Sequence, residues 1–388
     1  MEASSGGESR WSQLASSLPV RNVQALAASA EELTAGALER YIRQDIHDDK
    51  VLTEQSGQVP VIDLDRLLNP SFVDEETARL RLACEDWGFF QLVNHGIAEE
   101  VITNIRSDIQ KFFQLPLELK NAYAQRPGDV QGYGQSFVVS ESQTLDWADM
   151  FGILAQPPQA RDFTYWPVQP QTFRKSVENY SSELMKIASY VVTSIAKTLN
   201  VDVEVIQDKY VSQFLRMNYY PPCMSMPEKV LGFSPHSDAS FVTLLLEINS
   251  VAGLQIKRHN AWIPVKPDPK ALLVNVGDFL EIMSNGKYKS IEHRVTINSS
   301  QERLTISAFH IPLLDGILSP IKSTTEDRVL YKTMAVEEYA KIYMSNKLDG
   351  KRALDHAKTT NQNNELQCSK VPAGGDQASS AAVEHHHH

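Results

Sequence analysis

From about residue 211 the chain alternates apolar and polar residues with a period of two, and this pattern limits the possible folds more than any other feature. The alternating runs are bounded by turn residues such as Asn285 and Gly286, as is typical of short β-strands. The predicted strands cover 212–220, 241–248, 253–257, 261–265, 271–275, 290–297 and 303–311. So many short strands in succession predict a sandwich or a barrel-like double sheet.

The part of the chain before residue 211 is mostly helical in pattern. Short apolar runs at 59–64 and 89–93 predict two strands, and apolar residues at helical spacing predict helices near 80–87, 102–112 and 173–199. Residues 121–172 are rich in loop-forming residues, and 335–346 and 351–357 are helical again. We divide the chain into an N-terminal helical extension, an N-terminal half, a β-rich core with a C-terminal helix, and a disordered tail that ends in the remnant of a histidine purification tag. These four parts are 1–58, 59–200, 201–357 and 358–388.

Charge and composition exclude several classes of function. The formal net charge of −11 at pH 7 makes nucleic acid and anionic membranes poor partners. No apolar run approaches the ~20 residues that cross a bilayer, and the first residues are polar, unlike a secretory signal. The three cysteines, Cys84, Cys223 and Cys368, are far apart, as expected of reduced thiols. We therefore expect a cytoplasmic protein, and nothing in the sequence requires more than a monomer.

Two histidines and one aspartate form the first candidate site. His236 and Asp238 are separated by one residue, and residues i and i+2 of an extended strand point to the same side. His293 lies in a second strand-like segment, SIEHRV. Two histidines and one carboxylate on one face of a metal form the facial triad of non-haem Fe(II) oxygenases. Alternatively His236 is a core or hairpin histidine, because the His-x-Asp pattern also occurs by chance.

The strand 303–311 carries a second candidate site. Alternation places Arg303, Thr305, Ser307 and Phe309 on one face. A buried arginine on a strand needs an anionic partner, and its fork suits a bidentate carboxylate, to which Thr305 would add a hydroxyl. An internal pair between Arg303 and an aspartate such as Asp278 is the alternative.

A third strand supports the same region. In FLRMNYYPPC, one face carries Phe214, Arg216, Asn218 and Tyr220. The Tyr220 phenol would donate to an organic acid and Asn218 would orient a ligand. In the alternative interpretation the tyrosines are ordinary strand residues before a Pro-Pro stop.

Together these motifs resemble the plant 2-oxoglutarate- and Fe(II)-dependent dioxygenases of specialised metabolism. The segments NYYPPC, HSD, EHR and RLT occur in the family's order, and VPVIDL and WGFFQLVNHGI are similar to its N-terminal half. Residues 132–151, GYGQSFVVSESQTLDWADMF, resemble the branch that includes alkaloid and lignan oxidases and O-demethylases. The resemblance covers about residues 59–357.

The resemblance implies a mainly β fold with flanking helices, a distorted double-stranded β-helix (jelly roll) whose mouth is closed by the helix at 336–344. It implies that His236, Asp238 and His293 hold Fe(II). Arg303 and Thr305 would bind the distal carboxylate of 2-oxoglutarate, with Tyr220 and Asn218 assisting. Thr305 stands where the family usually has serine, and it keeps the hydroxyl. O2 would be the second co-substrate and ascorbate the reductant.

The implied activity is that of a 2-oxoglutarate-dependent dioxygenase. It would hydroxylate, O-demethylate or desaturate a small phenolic, indole, alkaloid or hormone-like plant metabolite and release succinate and CO2. A non-catalytic small-molecule binder and a synthase that forms a ring without consuming 2-oxoglutarate are the alternatives on the same fold. The candidate residues of the substrate pocket are Tyr133, Phe137, Phe151, Phe214, Arg216, Phe309 and Ile311.

Overall fold

A computed structural model describes residues 11, 13–15, 17–29, 35–46, 49–53, 58–321 and 328–359. The predicted disordered tail, from residue 360 onward, and with it the tag and Cys368, lies outside the described residues, as do residues 1–10.

The helices of the described residues lie before and after a β-rich centre. They are α1 (Val23–Ala28), α2 (Ala35–Leu38), α3 (Leu64–Leu67), α4 (Val73–Leu82), α5 (Glu99–Gln114), α6 (Leu117–Asn121), α7 (Phe173–Thr198), α8 (Asp278–Met283), α9 (Val336–Met344) and α10 (Arg352–His356). A π-helical turn, Ala83–Trp87, extends α4. No described helix is both long enough and apolar enough to span a membrane.

The strands are short and mostly antiparallel. They are β1 (Val61–Asp63), β2 (Phe89–Val93), β3 (Gly132–Gly134), β4 (Asp149–Gln156), β5 (Ser212–Tyr220), β6 (Leu231–His236), β7 (Val242–Glu247), β8 (Leu254–Arg258), β9 (Ala261–Pro264), β10 (Leu272–Val276), β11 (His293–Thr296), β12 (Arg303–Ile311), β13 (Ile317–Leu318) and β14 (Met334–Ala335).

The strands form one large sheet and one smaller sheet that face each other. The large sheet has the order β1-β2-β10-β7-β12-β5-β4-β3, the small sheet the order β6-β11-β8-β9, and β13 pairs with β14. Side chains from both inner faces share one buried apolar cluster, in which Tyr220 and Leu273 of the large sheet accompany Phe233 and Val295 of the small one. The interior between the sheets is therefore where a site is formed.

Alternation decides which side chains enter that interior. On β12, Leu304, Ile306 and Ala308 join the apolar cluster that contains the buried stripe of α7, for example Leu184 and Val191. The other side of the same strand faces the small sheet. Helices thus cover the outer face of the large sheet, and polar side chains are available on its inner face.

Several elements were absent from the prediction, including the short strands β3, β13 and β14 and the short helices α3 and α6. β4 lies in the segment predicted to be loop-rich, and all eight of its residues are buried. Because both faces of β4 are covered, its apolar run shows no alternation. β6 and the short helix α8 were also not predicted. In the structure His236 is the last residue of β6 and Asp238 lies two residues beyond its end, whereas the sequence analysis placed both in one extended strand.

The N-terminal extension is attached to β4 through a buried carboxylate. Asp149 accepts hydrogen bonds from the backbone N–H groups of Val23 (3.0 Å) and Gln24 (2.8 Å) at the start of α1. Burial raises the pKa of Asp149 to about 6. The large sheet contains strands from both sides of residue 200. The predicted domain boundary near that residue therefore does not separate two sheets, and it stays a prediction.

Candidate active site

Three buried side chains converge between the sheets. His236 and His293 are direct partners in the antiparallel pair β6–β11. Asp238 Oδ1 lies 3.3 Å from His236 Nε2 and 3.2 Å from His293 Nε2. One ligand atom from each of the three residues lies within 4.8 Å of the other two. The structure therefore brings together the three residues of the predicted triad.

Hydrogen bonds around these residues aim their free donor atoms at one point. His236 Nδ1 lies 2.7 Å from the Ser234 carbonyl oxygen and His293 Nδ1 lies 3.0 Å from that of Ile291. A carbonyl only accepts, so each Nδ1 carries the proton, and Nε2 is the atom available to a metal. Asn275 donates to Asp238 Oδ2 at 2.9 Å, which leaves Oδ1 facing the two imidazoles.

The electrostatics of the triad suit a cation. Burial, together with the neighbouring His293, lowers the pKa of His236 to about 4, so this imidazole is neutral near pH 7. Burial opposes ionisation of Asp238, but the two histidines outweigh it and hold its pKa well below the usual range. Burial opposes protonation of His293, but Asp238 outweighs it and raises the pKa of this imidazole. A divalent metal takes the place of that proton, and two imidazoles with one carboxylate fit a transition metal.

The predicted carboxylate site lies on the neighbouring strands of the large sheet. Arg303 pairs across β12–β5 with Tyr220, and Thr305 pairs with Asn218. Asn218 Nδ2 donates to Thr305 Oγ1 at 3.0 Å. The Thr305 oxygen is thereby used as an acceptor, and its own hydrogen remains to be donated elsewhere. The partner of Arg303 is Glu247, at 2.7 Å, and not Asp278, which was the alternative considered from sequence.

A mainly apolar cavity lies near both sites, and Arg216 in its lining donates to Asn218 of the carboxylate site. Ala239, next to Asp238, lines it, so the cavity reaches the triad. Five of the seven predicted pocket residues line it, namely Phe137, Phe214, Arg216, Phe309 and Ile311. The helix α9 contributes Val336, Ala340, Tyr343 and Met344, as expected of a helix at the mouth.

Arg216 is the one cationic side chain in the lining of this cavity. Its guanidinium carbon lies 4.5 Å from the ring centre of Phe233 and 4.7 Å from that of Phe309. Its Nε donates to Asn218 Oδ1 at 3.1 Å, and no carboxylate of the described residues forms an ion pair with it. Burial lowers the pKa of Arg216, yet a guanidinium stays protonated in proteins. The cavity therefore holds one unpaired positive charge.

The structure does not bring Tyr133 and Phe151 to the cavity. They are register partners on β3 and β4, so both point to the same side. That side is the helical one, where both rings contact Phe112 of α5. The neighbouring residues Met150 and Gly152 line the cavity instead. A continuously apolar strand such as β4 does not reveal which of its faces points inward, so the sequence alone does not separate Phe151 from Met150 and Gly152.

Several residues of the site were not found from the sequence. Asn275 and Glu247 lie on β10 and β7, where only the sheet register brings them to the site. Trp11 and Leu14 of the N-terminal extension line the cavity, and the Trp11 ring stacks on Phe214 with centroids 6.3 Å apart. Tyr343 donates to the carbonyl of Ser237, between two triad residues, at 2.7 Å. Only Tyr343 had a sequence signal, its position on the predicted C-terminal helix.

Two family models match the chain. Residues 59–172 match the N-terminal region described as "non-haem dioxygenase in morphine synthesis". Residues 211–312 match the 2OG-Fe(II) oxygenase superfamily, and this range includes all three triad residues and the proposed carboxylate site.

Individual proteins agree with these matches over most of the chain. S-norcoclaurine synthase 1 from Coptis japonica is 46% identical, covering 88% of this chain and 97% of its own. 2-Oxoglutarate-dependent dioxygenase 11 from Oryza sativa subsp. japonica is 44% identical, covering 87% and 96%. Codeine O-demethylase from Papaver somniferum is 45% identical, covering 77% and 84%.

A solved structure supports the fold. The crystal structure of JOX2 in complex with 2OG, Fe and JA is 34% identical in sequence, with a TM-score of 0.79, and covers 88% of this chain and 98% of its own. This similarity confirms the predicted jelly-roll core with flanking helices.

Proposed function

The chain belongs to the 2OG-Fe(II) oxygenase superfamily, and from that premise we propose which residues perform its chemistry and what kind of substrate it oxidises. It is an enzyme of the 2-oxoglutarate-dependent dioxygenase class, which requires Fe(II) and 2-oxoglutarate. Its relatives include O-demethylases and dioxygenases of plants. The observation that carries the proposal is the convergence of three buried ligand atoms near an apolar cavity, in a chain that also buries Arg303 on the inner face of the large sheet.

We assign the metal to His236, Asp238 and His293. The donor set of two imidazole nitrogens and one carboxylate oxygen fits Fe(II), and three ligands leave coordination positions for a co-substrate and O2. Bound iron, with 2-oxoglutarate as the electron donor that is converted to succinate and CO2, supplies the activation of O2. Ascorbate would keep the metal reduced. The protein itself orients the ligands through Ser234, Ile291 and Asn275.

The distal carboxylate of 2-oxoglutarate is assigned to Arg303 and Thr305. Arg303 is 3% exposed, so an anion there binds in a low-dielectric environment where the attraction is strong. The hydrogen bond from Asn218 orients the Thr305 hydroxyl as a donor, and Arg216 in turn orients the Asn218 amide. Tyr220, opposite Arg303, offers a phenol on the same face.

The cavity favours a flat apolar substrate that carries one acidic or strongly polar group. Phe137, Phe214 and Phe309 offer ring faces for stacking. Arg216 would bind the polar group, since a half-buried guanidinium without a carboxylate partner favours an anionic ligand. O-demethylation begins with hydroxylation of the methyl carbon of an ether, so it needs the same protein groups as any other hydroxylation. The structure of the substrate therefore decides which of the two reactions is observed.

A second candidate function is a synthase that does not consume 2-oxoglutarate. The observation in its favour is the similarity to S-norcoclaurine synthase 1. Arg303 already has Glu247 as an internal partner, so its burial alone does not decide between the two functions. The match to the 2OG-Fe(II) oxygenase superfamily and the similarity to 2-oxoglutarate-dependent dioxygenase 11 favour the oxygenase.

We further propose that the protein acts as a cytoplasmic monomer without nucleic-acid or membrane partners. One chain supplies the whole cavity lining, the net charge is −11, and Cys84 and Cys223 are buried free thiols. Light scattering on the purified protein tests the monomer.

The substrate proposal is tested by measuring succinate formed from 2-oxoglutarate across plant phenolics, indoles and alkaloids, each acid paired with its methyl ester. We expect certain acids to stimulate succinate release more than their esters, and Arg216→Met to remove that preference. Because Arg216 also orients Asn218, the comparison is made at saturating 2-oxoglutarate for each protein. Equal stimulation by acids and esters in the wild type would overturn the assignment of Arg216. Product formation without succinate would favour the synthase.

A further inference from the structure

A second carboxylate lies in the co-substrate site. Glu247 ends β7 and is the register partner of Thr305, so its side chain is on the inner face of the sheet. Its Oε1 lies 2.7 Å from Arg303 Nη2. Its Oε2 is buried and has no hydrogen-bond partner among the described residues. The arginine assigned to the co-substrate thus already has an anionic neighbour.

Glu247 fixes the orientation of the Arg303 fork. Arg303 Nε donates to the Val251 carbonyl at 2.9 Å, and Nη2 donates to Glu247. These two bonds hold one edge of the planar guanidinium, and within the described part of the chain no residue accepts from Nη1. Because the group is rigid, holding one edge also sets the direction of Nη1. That direction is the one left for an incoming carboxylate.

The same residue opposes that carboxylate electrostatically. The side chains of Arg303 and Glu247 are only 3% and 11% exposed, so solvent screens the pair weakly. A dicarboxylate that reaches Arg303 meets the negative charge of Glu247 next to the positive charge. Arg106 is the other cation near Glu247, and its Nε donates to the Glu247 backbone oxygen at 3.1 Å. Arg106 is half-buried and lies on α5, so it offsets the repulsion only in part.

We propose that Glu247 is a positioning residue that aims Arg303 and at the same time weakens its hold on dicarboxylates, which sets the affinity for 2-oxoglutarate and eases the release of succinate. This inference rests on the proposed function, because it assumes that Arg303 binds the co-substrate. A glutamine at this position would keep the oxygen that Arg303 donates to and remove the negative charge.

The test is the affinity of the metal-loaded full chain for 2-oxoglutarate and for succinate. Mn(II) replaces Fe(II) so that no turnover occurs, and each acid is titrated by calorimetry. We expect Glu247→Gln to bind both acids about tenfold more tightly than the wild type. Glu247→Met, which is uncharged but accepts no hydrogen bond, is expected to tighten binding less. A merely structural residue would show weaker binding in both variants.

The matched control is Glu302→Gln. Glu302 is the exposed neighbour of Arg303 in the sequence, and its carboxylate accepts from the Tyr219 hydroxyl at 2.5 Å, away from the guanidinium. This variant removes the same charge close by and should leave both affinities unchanged.

Three results are distinguishable. Tighter binding only in the Glu247 variants supports the proposal. Unchanged or weaker binding in a folded Glu247→Gln or Glu247→Met variant overturns the role of Glu247 but leaves the oxygenase intact. If the metal-loaded wild type binds no 2-oxoglutarate, the proposed co-substrate site is wrong and the role of Glu247 is wrong with it.

Discussion

The hydrogen bond from Asn275 to Asp238 makes the metal affinity depend on a residue that is not itself a ligand. The Asn275 amide donates to Asp238 Oδ2 at 2.9 Å, and both side chains are buried. We expect Asn275→Ala to weaken binding of a divalent metal. Without the amide, the carboxylate is free to rotate, and Oδ2 has no other donor among the described residues.

The size of the effect follows from the burial and charge of this contact. A hydrogen bond to a charged group contributes about 1.5–3 kcal/mol. Since every 1.4 kcal/mol is a factor of ten in affinity, the dissociation constant should rise roughly ten- to hundredfold. Loss of a group that orients a metal ligand typically weakens binding by a similar factor of about 10–100.

The assay is a titration with Mn(II), with the free ion counted by electron paramagnetic resonance. Asn218→Ala serves as the control, because its amide donates to Thr305 and not to the triad. The control should keep the metal affinity and lose affinity for 2-oxoglutarate. Wild-type metal affinity in a folded Asn275→Ala protein would refute the reasoning about Asp238.

Three further perturbations test other parts of the structure. Arg303→Met should raise the Michaelis constant for 2-oxoglutarate at least tenfold, and an unchanged constant would exclude Arg303 from the site. The same variant should lower the free energy of unfolding in urea, because Glu247 stays buried and unpaired, and adding Glu247→Met should restore it. Trp11→Ala should raise the Michaelis constant of a stimulating substrate and leave that of 2-oxoglutarate unchanged, because Trp11 stacks on Phe214 in the cavity lining; an unaltered substrate constant would place the N-terminal segment outside the working pocket. His310 is fully buried, which lowers its pKa from 6.5 to about 4; below pH 6.5 the unfolded chain takes up a proton at this histidine and the folded chain does not. The free energy of unfolding should therefore fall by up to about 1.4 kcal/mol per pH unit between pH 6.5 and 4 on account of His310. Urea unfolding between pH 7.5 and 4.5 should therefore show a shallower loss for His310→Gln than for the wild type and for the exposed control His356→Gln, and identical slopes would contradict it.

The parts of the fold that were predicted from sequence are those with one face covered by helices and the other facing the site. The strands Ser212–Tyr220 and Arg303–Ile311 have the predicted bounds because their side chains alternate between an apolar face and a polar one. The strand Asp149–Gln156 was not predicted because it is buried on both sides. The bounds of the long helix α7 also agree with the prediction, since its buried stripe repeats at helical spacing.

Local motifs contain the candidate metal ligands and the carboxylate-binding arginine, but not the groups that orient them. His236, Asp238 and His293 belong to short patterns that a reader of the sequence can recognise. Asn275 and Glu247 reach the same site only through pairing between strands that are not adjacent in sequence. Their roles depend on strand order and register, which follow from the packing of the whole chain and not from any local pattern.

The central claim is that the triad forms an Fe(II) site at which 2-oxoglutarate is decarboxylated. The most direct test is succinate production from 2-oxoglutarate, with O2 and ascorbate, by Fe(II)-supplied wild type and by Asp238→Ala, with bound iron measured in both. We expect succinate from the wild type, increased by a suitable substrate, and a rate at least about a hundredfold lower in Asp238→Ala, because that variant lacks a direct ligand of the reactive metal. Succinate formed by a folded Asp238→Ala protein at the wild-type rate would contradict the claim.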